Sequence, residues 1–199
     1  MSSDTELLEA WRRGDARAGE QLFDRHFASV RRFFRSKAPA TEVEDLVQQT
    51  FAACVQHLEQ FRGEARFVTY LLAIARSQLH RWLRRRDPVR AGLDVEASSI
   101  IDLGTSPSVK VAGREQQREL VEALRRLPLA MQTMLELHYW DDLNAAELAI
   151  VFELEPNAVR VRLHRARAAL RDQLLAQRAA HTPTLERLDD DVREVAKLF

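Results

Sequence analysis

The chain has one cysteine, Cys54, so no disulfide can close within it and zinc sites built on cysteine pairs are excluded. With nothing that asks for an oxidising compartment, a cytoplasmic setting is expected. Glycine is also scarce, and the six present never cluster as G-x-x-x-x-G-K or G-x-G-x-x-G, which removes the phosphate-cradling loops. No run approaches the roughly 18 apolar residues of a membrane span, and Met1 to Asp15 lacks the basic flank and apolar stretch of a signal peptide. A soluble protein without membrane insertion follows. Net charge is missing as well, because 30 basic and 30 acidic residues cancel. Any case for a polyanionic partner must therefore rest on where the charges lie.

Catalytic sets are absent too. His26, His57, His80, His138, His164 and His181 are scattered without partners at metal-ligand spacing, so neither a metal nor another cofactor is expected. Glu42, Glu44 and Asp45 form a dense acidic group, but they share a single helix with no carboxylate expected from elsewhere. No enzyme is expected, and a nucleic-acid enzyme is the weakest of the readings considered.

What is present is helical period. Phe23, Phe27, Val30 and Phe34 mark a helix over residues 16–37, broken at Pro39. Thr41 to Glu44 has the spacing of a capping box, opening a helix with Val43, Val47, Phe51, Cys54 and Leu58 on one face. Phe67 to Arg86 carries a stripe of Phe67, Leu71, Ile74 and Trp82, with Thr69, Arg76, His80 and Arg84 roughly opposite. Asp87-Pro88 stops that helix. Residues 89–112, with Gly92, Ser98, Ser99, Gly104, Ser106 and Pro107, read as a flexible linker. The expected fold is all-α: two small helical domains, residues 1–88 and 113–178, joined by that linker. Residues 184–198 place Leu185, Leu188, Val192, Val195 and Leu198 at helical spacing, which fits either a short amphipathic helix docked on the chain or a partner, or a frayed tail, in an extension over 179–199.

The second domain ends on a helix-turn-helix pattern. Asn144 is placed as N-cap with Glu147 at N3, a turn falls at Glu153 to Glu155, and Pro156 opens the next helix. On that helix Val159, Leu163, Ala166 and Leu170 share one arc. Arg160, Val161, His164, Arg165 and Ala168 lie opposite, with Arg162, Arg167 and Arg171 on the flanks. A stripe to dock, a far side for base edges and flanking cations for phosphates are what a major-groove helix needs. The first half is the basic half, with 16 Lys and Arg against 12 Asp and Glu over residues 1–90. There Phe61 to Phe67 is a loop of aromatic and basic residues leading into Arg76, His80, Arg81 and Arg84 to Arg86, a composition suited to unpaired bases. Phe61 and Phe67 are equally well read as core.

Glu44-Asp45-Leu46-Val47-Gln48-Gln49-Thr50-Phe51, Phe61-Arg62-Gly63-Glu64 and Phe67 to Arg76 resemble region 2 of the extracytoplasmic-function (ECF) sigma factors. Leu124 to Pro128, Asp142 to Ala149 and Val159 to Arg167 resemble region 4 of the same family. The resemblance implies promoter-directed transcription initiation, with core RNA polymerase and promoter DNA as partners and, often in the family, an anti-sigma protein. It assigns Asp45, Gln48 and Gln49 to the clamp helices of the largest polymerase subunit, and region 4 to the flap of the second largest. Phe61, Arg62, Gly63, Glu64, Arg66, Arg76, His80 and Arg84 fall to the −10 element. Arg160, Val161, Arg162, His164, Arg165, Arg167 and Arg171 fall to the −35 element. The linker, with Asp94, Glu96 and Asp102 against Lys110, is implied to run through a path meant for nucleic acid. Departures from the pattern are Tyr70 for the usual Trp, Glu153 for a turn Gly and Ala158 for Thr. The competing reading is a helix-turn-helix regulator whose first half is a sensor domain.

Overall fold

The computed structural model describes residues 2–86, 96–104, 115–177 and 185–199. A helix not anticipated from periodicity, α1 (Asp4–Arg12), starts at a capping box in which Ser3 and Glu6 satisfy each other's backbone N–H. α2 (Ala16–Arg35) is capped by Asp15, and α1 lies across its start with the Trp11 ring over Gly19. A Cβ on Gly19 would stand 2.8 Å from that ring, so glycine is what lets the two helices approach. α3 (Ala40–Gln56) starts one residue ahead of the expected capping box, with Pro39 at the N-cap and no side-chain cap. The fixed φ of Pro39 already turns the chain into the helix. After a 3₁₀ turn at Leu58–Gln60 comes α4 (Phe67–Arg86).

The core of this half is Leu22, Val30, Phe34, Val43, Leu46, Val47, Cys54, Leu71, Leu72 and Leu79, all buried. Cys54 is fully enclosed, and that desolvation pushes its thiol up to about 12. It is a packing residue, not a nucleophile. Phe27, expected in the stripe, is 41% exposed. The face of α2 that turns inward is centred on Leu22, Val30, Phe33 and Phe34, which leaves Phe27 at its edge.

The second half consists of α5 (Glu115–Arg126), α6 (Leu129–Trp140), α7 (Ala145–Phe152) and α8 (Pro156–Gln177). Part of the expected linker is fastened to it. Leu129 N–H donates to the Ser98 carbonyl and Ala130 N–H to that of Glu96, while Ser99, Ile100 and Leu103 are buried. The first N–H groups of α6 have no acceptor within their own helix, and residues 96–98 supply one. The Asp87-Pro88 stop and the linker residues Asp94 and Lys110 lie outside the described residues, as does His181. The predicted terminal helix is α9 (Leu185–Val195), continued by a 3₁₀ turn at Ala196–Leu198. It buries Leu188, Val192 and Val195 against α5 and α6.

The two halves pack together, α4 on α7, and the contact is polar with a fixed sense. Cations come from the first half and carboxylates from the second. Arg32 donates to Asp141 at 2.7 Å and to the Trp140 carbonyl at 2.9 Å. Arg66 pairs with Glu147, and Lys37 with Glu136, which also accepts from Ser36 at 2.9 Å. Lys37 and Glu136 are almost wholly buried, with side chains 0% and 2% exposed. Burial drives the Lys37 pKa below its ordinary value against the opposing pull of Glu136 and Asp141. A pair so placed adds little net stability but makes each partner indispensable to the other. Glu136→Ala should therefore cost about 3–5 kcal/mol by stranding Lys37, whereas Lys37→Met with Glu136→Leu should recover most of it. Urea unfolding of both proteins checks this, and a double variant as unstable as the single one would refute it.

Candidate nucleic-acid interface

The helix-turn-helix is set up by short-range chemistry. Asn144 Oδ1 accepts from Ala146 N–H at 2.9 Å and Glu147 N–H at 3.1 Å, while Glu147 accepts from the Asn144 N–H at 2.9 Å. α7 is stopped by Glu153 in the left-handed region, φ 55 and ψ 48, and Leu154 N–H closes the turn on the Ala149 carbonyl at 2.9 Å. The residue that departs from the family's glycine thus adopts the glycine conformation. α8 then presents itself as its arcs predict. Val159, Leu163, Ala166 and Leu170 are buried, and Arg160, Val161, Arg162, His164 and Arg165 are exposed. Arg167 and Arg171 are half-buried, and Arg167 donates to Tyr139 Oη at 2.6 Å.

In the first half Phe61 and Phe67 are both core. The Phe61 ring stacks on Tyr70 at 4.6 Å and meets Phe67 edge-on, while its carbonyl accepts from Arg12. The exposed part of the loop is Arg62, Gly63, Glu64 and Arg66, turned by Gly63 at φ 77. Arg76, His80, Arg81, Arg84 and Arg85 line a cleft of ≈ 580 Å³ that reaches Val151 and Glu153 at the end of α7. Part of this basic surface is already engaged. Arg76 donates to Glu96 at 2.6 Å and to the Val151 carbonyl at 3.3 Å, and lies over the Phe152 ring. His80 Nε2 is 2.6 Å from the same Glu96 carboxylate. Burial pushes Glu96 up, but His80 and Arg76 together hold it below the ordinary carboxylate value. Thr69, on the side of α4 opposite its apolar stripe, is buried and donates to Glu147 at 3.3 Å.

A third surface lies between α2 and α3. Phe23, Phe27, Val47 and Phe51 line a shallow groove of ≈ 470 Å³ edged by Asp24, Glu44, Asp45 and Gln48. Asp45 and Gln48 are exposed and Gln49 is half-buried. The apolar floor of this groove was missed from sequence, because Phe23 and Phe27 at i and i+4 look the same as core.

Residues 22–89 match the family described as Sigma-70 region 2, and residues 117–170 match Sigma-70, region 4. The chain belongs to the ECF sigma factors. It is 25% identical over 180 residues to the ECF RNA polymerase sigma-E factor of Haemophilus influenzae, an alignment covering 86% of this chain and 95% of that protein. Among solved structures it is similar to CnrH in complex with the cytosolic domain of CnrY, with TM-score 0.66, 25% identity, and 89% of this chain and 100% of that one covered. It shares its fold with the sigma factor RpoE from Bartonella quintana, solved with the anti-sigma factor NepR, at TM-score 0.59, 19% identity, and 80% and 98% coverage. As a sigma factor it directs core RNA polymerase to promoters, and the region 2 match leaves the sensor-domain reading without support. Among the described residues no helix is long and apolar enough to cross a membrane.

Two outcomes follow for this sigma factor. Glu153→Gly relieves a left-handed side chain, worth roughly 1–2 kcal/mol, against a smaller loss of chain entropy, so it should stabilise by about 1 kcal/mol. A lowered denaturation midpoint would contradict this. Burial works against the Glu147 carboxylate, but hydrogen bonds from Arg66, Asn144 and Thr69 outweigh it and hold its pKa below 4.5. A depressed carboxyl contributes stability above its unfolded value that is lost as pH falls through the folded one. Glu147→Gln should be less stable at neutral pH and show a shallower acid loss below about pH 4.5; parallel stability–pH curves for the two proteins would count against this.

Proposed function

We propose that the chain works as a two-handed binding protein within the initiation complex. Region 2 spans residues 1–88, the linker 89–112, region 4 residues 113–178 and the extension 179–199. The groove between α2 and α3 takes the clamp helices of the largest polymerase subunit, with Asp45, Gln48 and Gln49 at its acidic edge. Region 4 meets the flap of the second largest. The exposed loop from Arg62 to Arg66 and the basic face of α4, with Arg76, His80 and Arg84, hold the −10 element. Because the Phe61 ring is packed against Tyr70, its part is to shape that loop and not to stack on a base. α8 reads the −35 element through Arg160, Val161, His164 and Arg165, while Arg162, Arg167 and Arg171 contact phosphates. The chain catalyses nothing, resides in the cytoplasm, and is open to control by an anti-sigma protein.

The observation that carries this reading is the separation of α8 into a buried arc and an exposed basic one, behind a capped helix and a tight turn. Bases and phosphates respond differently to substitution. Removing a bidentate base contact costs about 1–3 kcal/mol at one position of the site, whereas removing a phosphate contact weakens all sequences and lowers the salt slope by roughly one. Alanine variants of Arg160, His164, Arg165 and Arg162, assayed with core polymerase on promoters selected from a random library, should divide three to one on that criterion. Asp45→Arg with Gln48→Ala should abolish capture of core enzyme. Undiminished capture would remove the α2–α3 groove from the polymerase interface.

A further inference from the structure

We propose that the groove across α5 and α6 is a receptor site for an amphipathic, acidic helix, and that residues 185–199 are its resident occupant, a strap that clasps region 4 onto region 2. The strap lies beyond the residue at which the region 4 match ends, 170. Its apolar side is used up by the groove, with Leu188, Val192 and Val195 at 2%, 0% and 0% exposure. Its backbone and acidic side are read as well. Trp140 Nε1 donates to the Val192 carbonyl at 2.8 Å, and Tyr139 donates to Asp189. Burial and that bond push the Tyr139 phenol up to about 12, so it stays protonated while it accepts from Arg167. A cation of the DNA-reading helix is thereby held at the strap.

The far end of the strap crosses to the other half. Phe199 stacks on Trp140 with ring centroids 5.2 Å apart, and its backbone oxygen accepts from Arg35 Nη1 of α2 at 2.6 Å. One turn earlier on α2, Arg32 takes the Trp140 carbonyl and Asp141. Trp140 is thus gripped from two sides, by region 2 through its carbonyl and by the strap through its ring and indole N–H. Fixing the end of α6 fixes the surface on which the two halves meet. In that closed form Arg66 is spent on Glu147 and Arg76 on the α7 end and Glu96, so the cations of region 2 face the chain's own acceptors. Releasing the strap frees them.

The test uses the full chain with Glu20→Cys and Glu122→Cys as spin-label sites, both exposed; Cys54 is buried and takes no label. One variant, Leu188→Asp with Val192→Asp, unseats the strap helix. A second, Arg35→Ala, leaves the helix seated and the Phe199 ring on Trp140 and cuts only the tie to α2, so the question stays decidable if the first fails to fold. Each should turn a single short label separation into a longer and broader distribution. Binding of a mixed-sequence single-stranded DNA oligomer, read by anisotropy, should tighten ~10-fold, as for a chain whose competent form is about a tenth of the population. Unchanged separations in the folded variants would overturn the strap. Lengthened separations with unchanged DNA affinity would uphold the strap and tell instead against α4 as a DNA surface.

Discussion

Glu147 stands where the start of a helix and the boundary between two domains coincide, and its carboxylate is divided between them. One oxygen completes the capping box of α7 through the Asn144 N–H; the other accepts from Thr69, and Arg66 pairs with the group as a whole. The turn that aims α8 and the contact that seats α4 therefore share a single group. Hydrogen bonds drawn from both sides compensate a carboxylate at a boundary between domains, which would otherwise be a costly thing to cover. Around it the same sense of charge repeats in Arg32 with Asp141 and Lys37 with Glu136, so region 4 meets region 2 in one register.

The neutral total charge of the chain is explained by this arrangement. A protein that engages a polyanion ordinarily carries a basic surplus, and here the surplus of the first half is matched by the acidic excess of the linker and of the C-terminal extension. Glu96 is the clearest case, since it sits between Arg76 and His80 on the face that the family reading gives to DNA.

Legibility from sequence followed the range of the interaction. The buried arc of α8 and the Asn144–Glu147 box were readable because residues three or four apart must share a face or a helix end. So was the apolar side of α9. What failed were the choices that depend on a neighbour distant in sequence. Phe27 and Phe34 are indistinguishable by period, yet one is surface and the other core, because only the position of α3 and α4 around α2 decides between them. Thr69 was placed opposite the core of its own half, correctly, but that face is covered by α7. Glu147 was recognised as a cap, and nothing within a few residues announces its second role, since Arg66 is 81 positions away. By composition Glu96 is one carboxylate of a loosely acidic linker, whereas in the fold it is the partner of two specific cations, Arg76 and His80.

The order in which the chain is made gives the Lys37–Glu136 pair a temporal side. The two residues are 99 positions apart. At roughly 5–20 residues per second of synthesis, α2 waits on the order of ten seconds before its counter-charge exists. During that interval Lys37 lacks its buried partner, and a nascent region 2 leaves uncovered the cations that the second half later pairs, Arg32, Lys37 and Arg66. Dehydration of Lys37 is deferred to the docking of two domains that are each already folded, which makes closure a late event with a rate of its own.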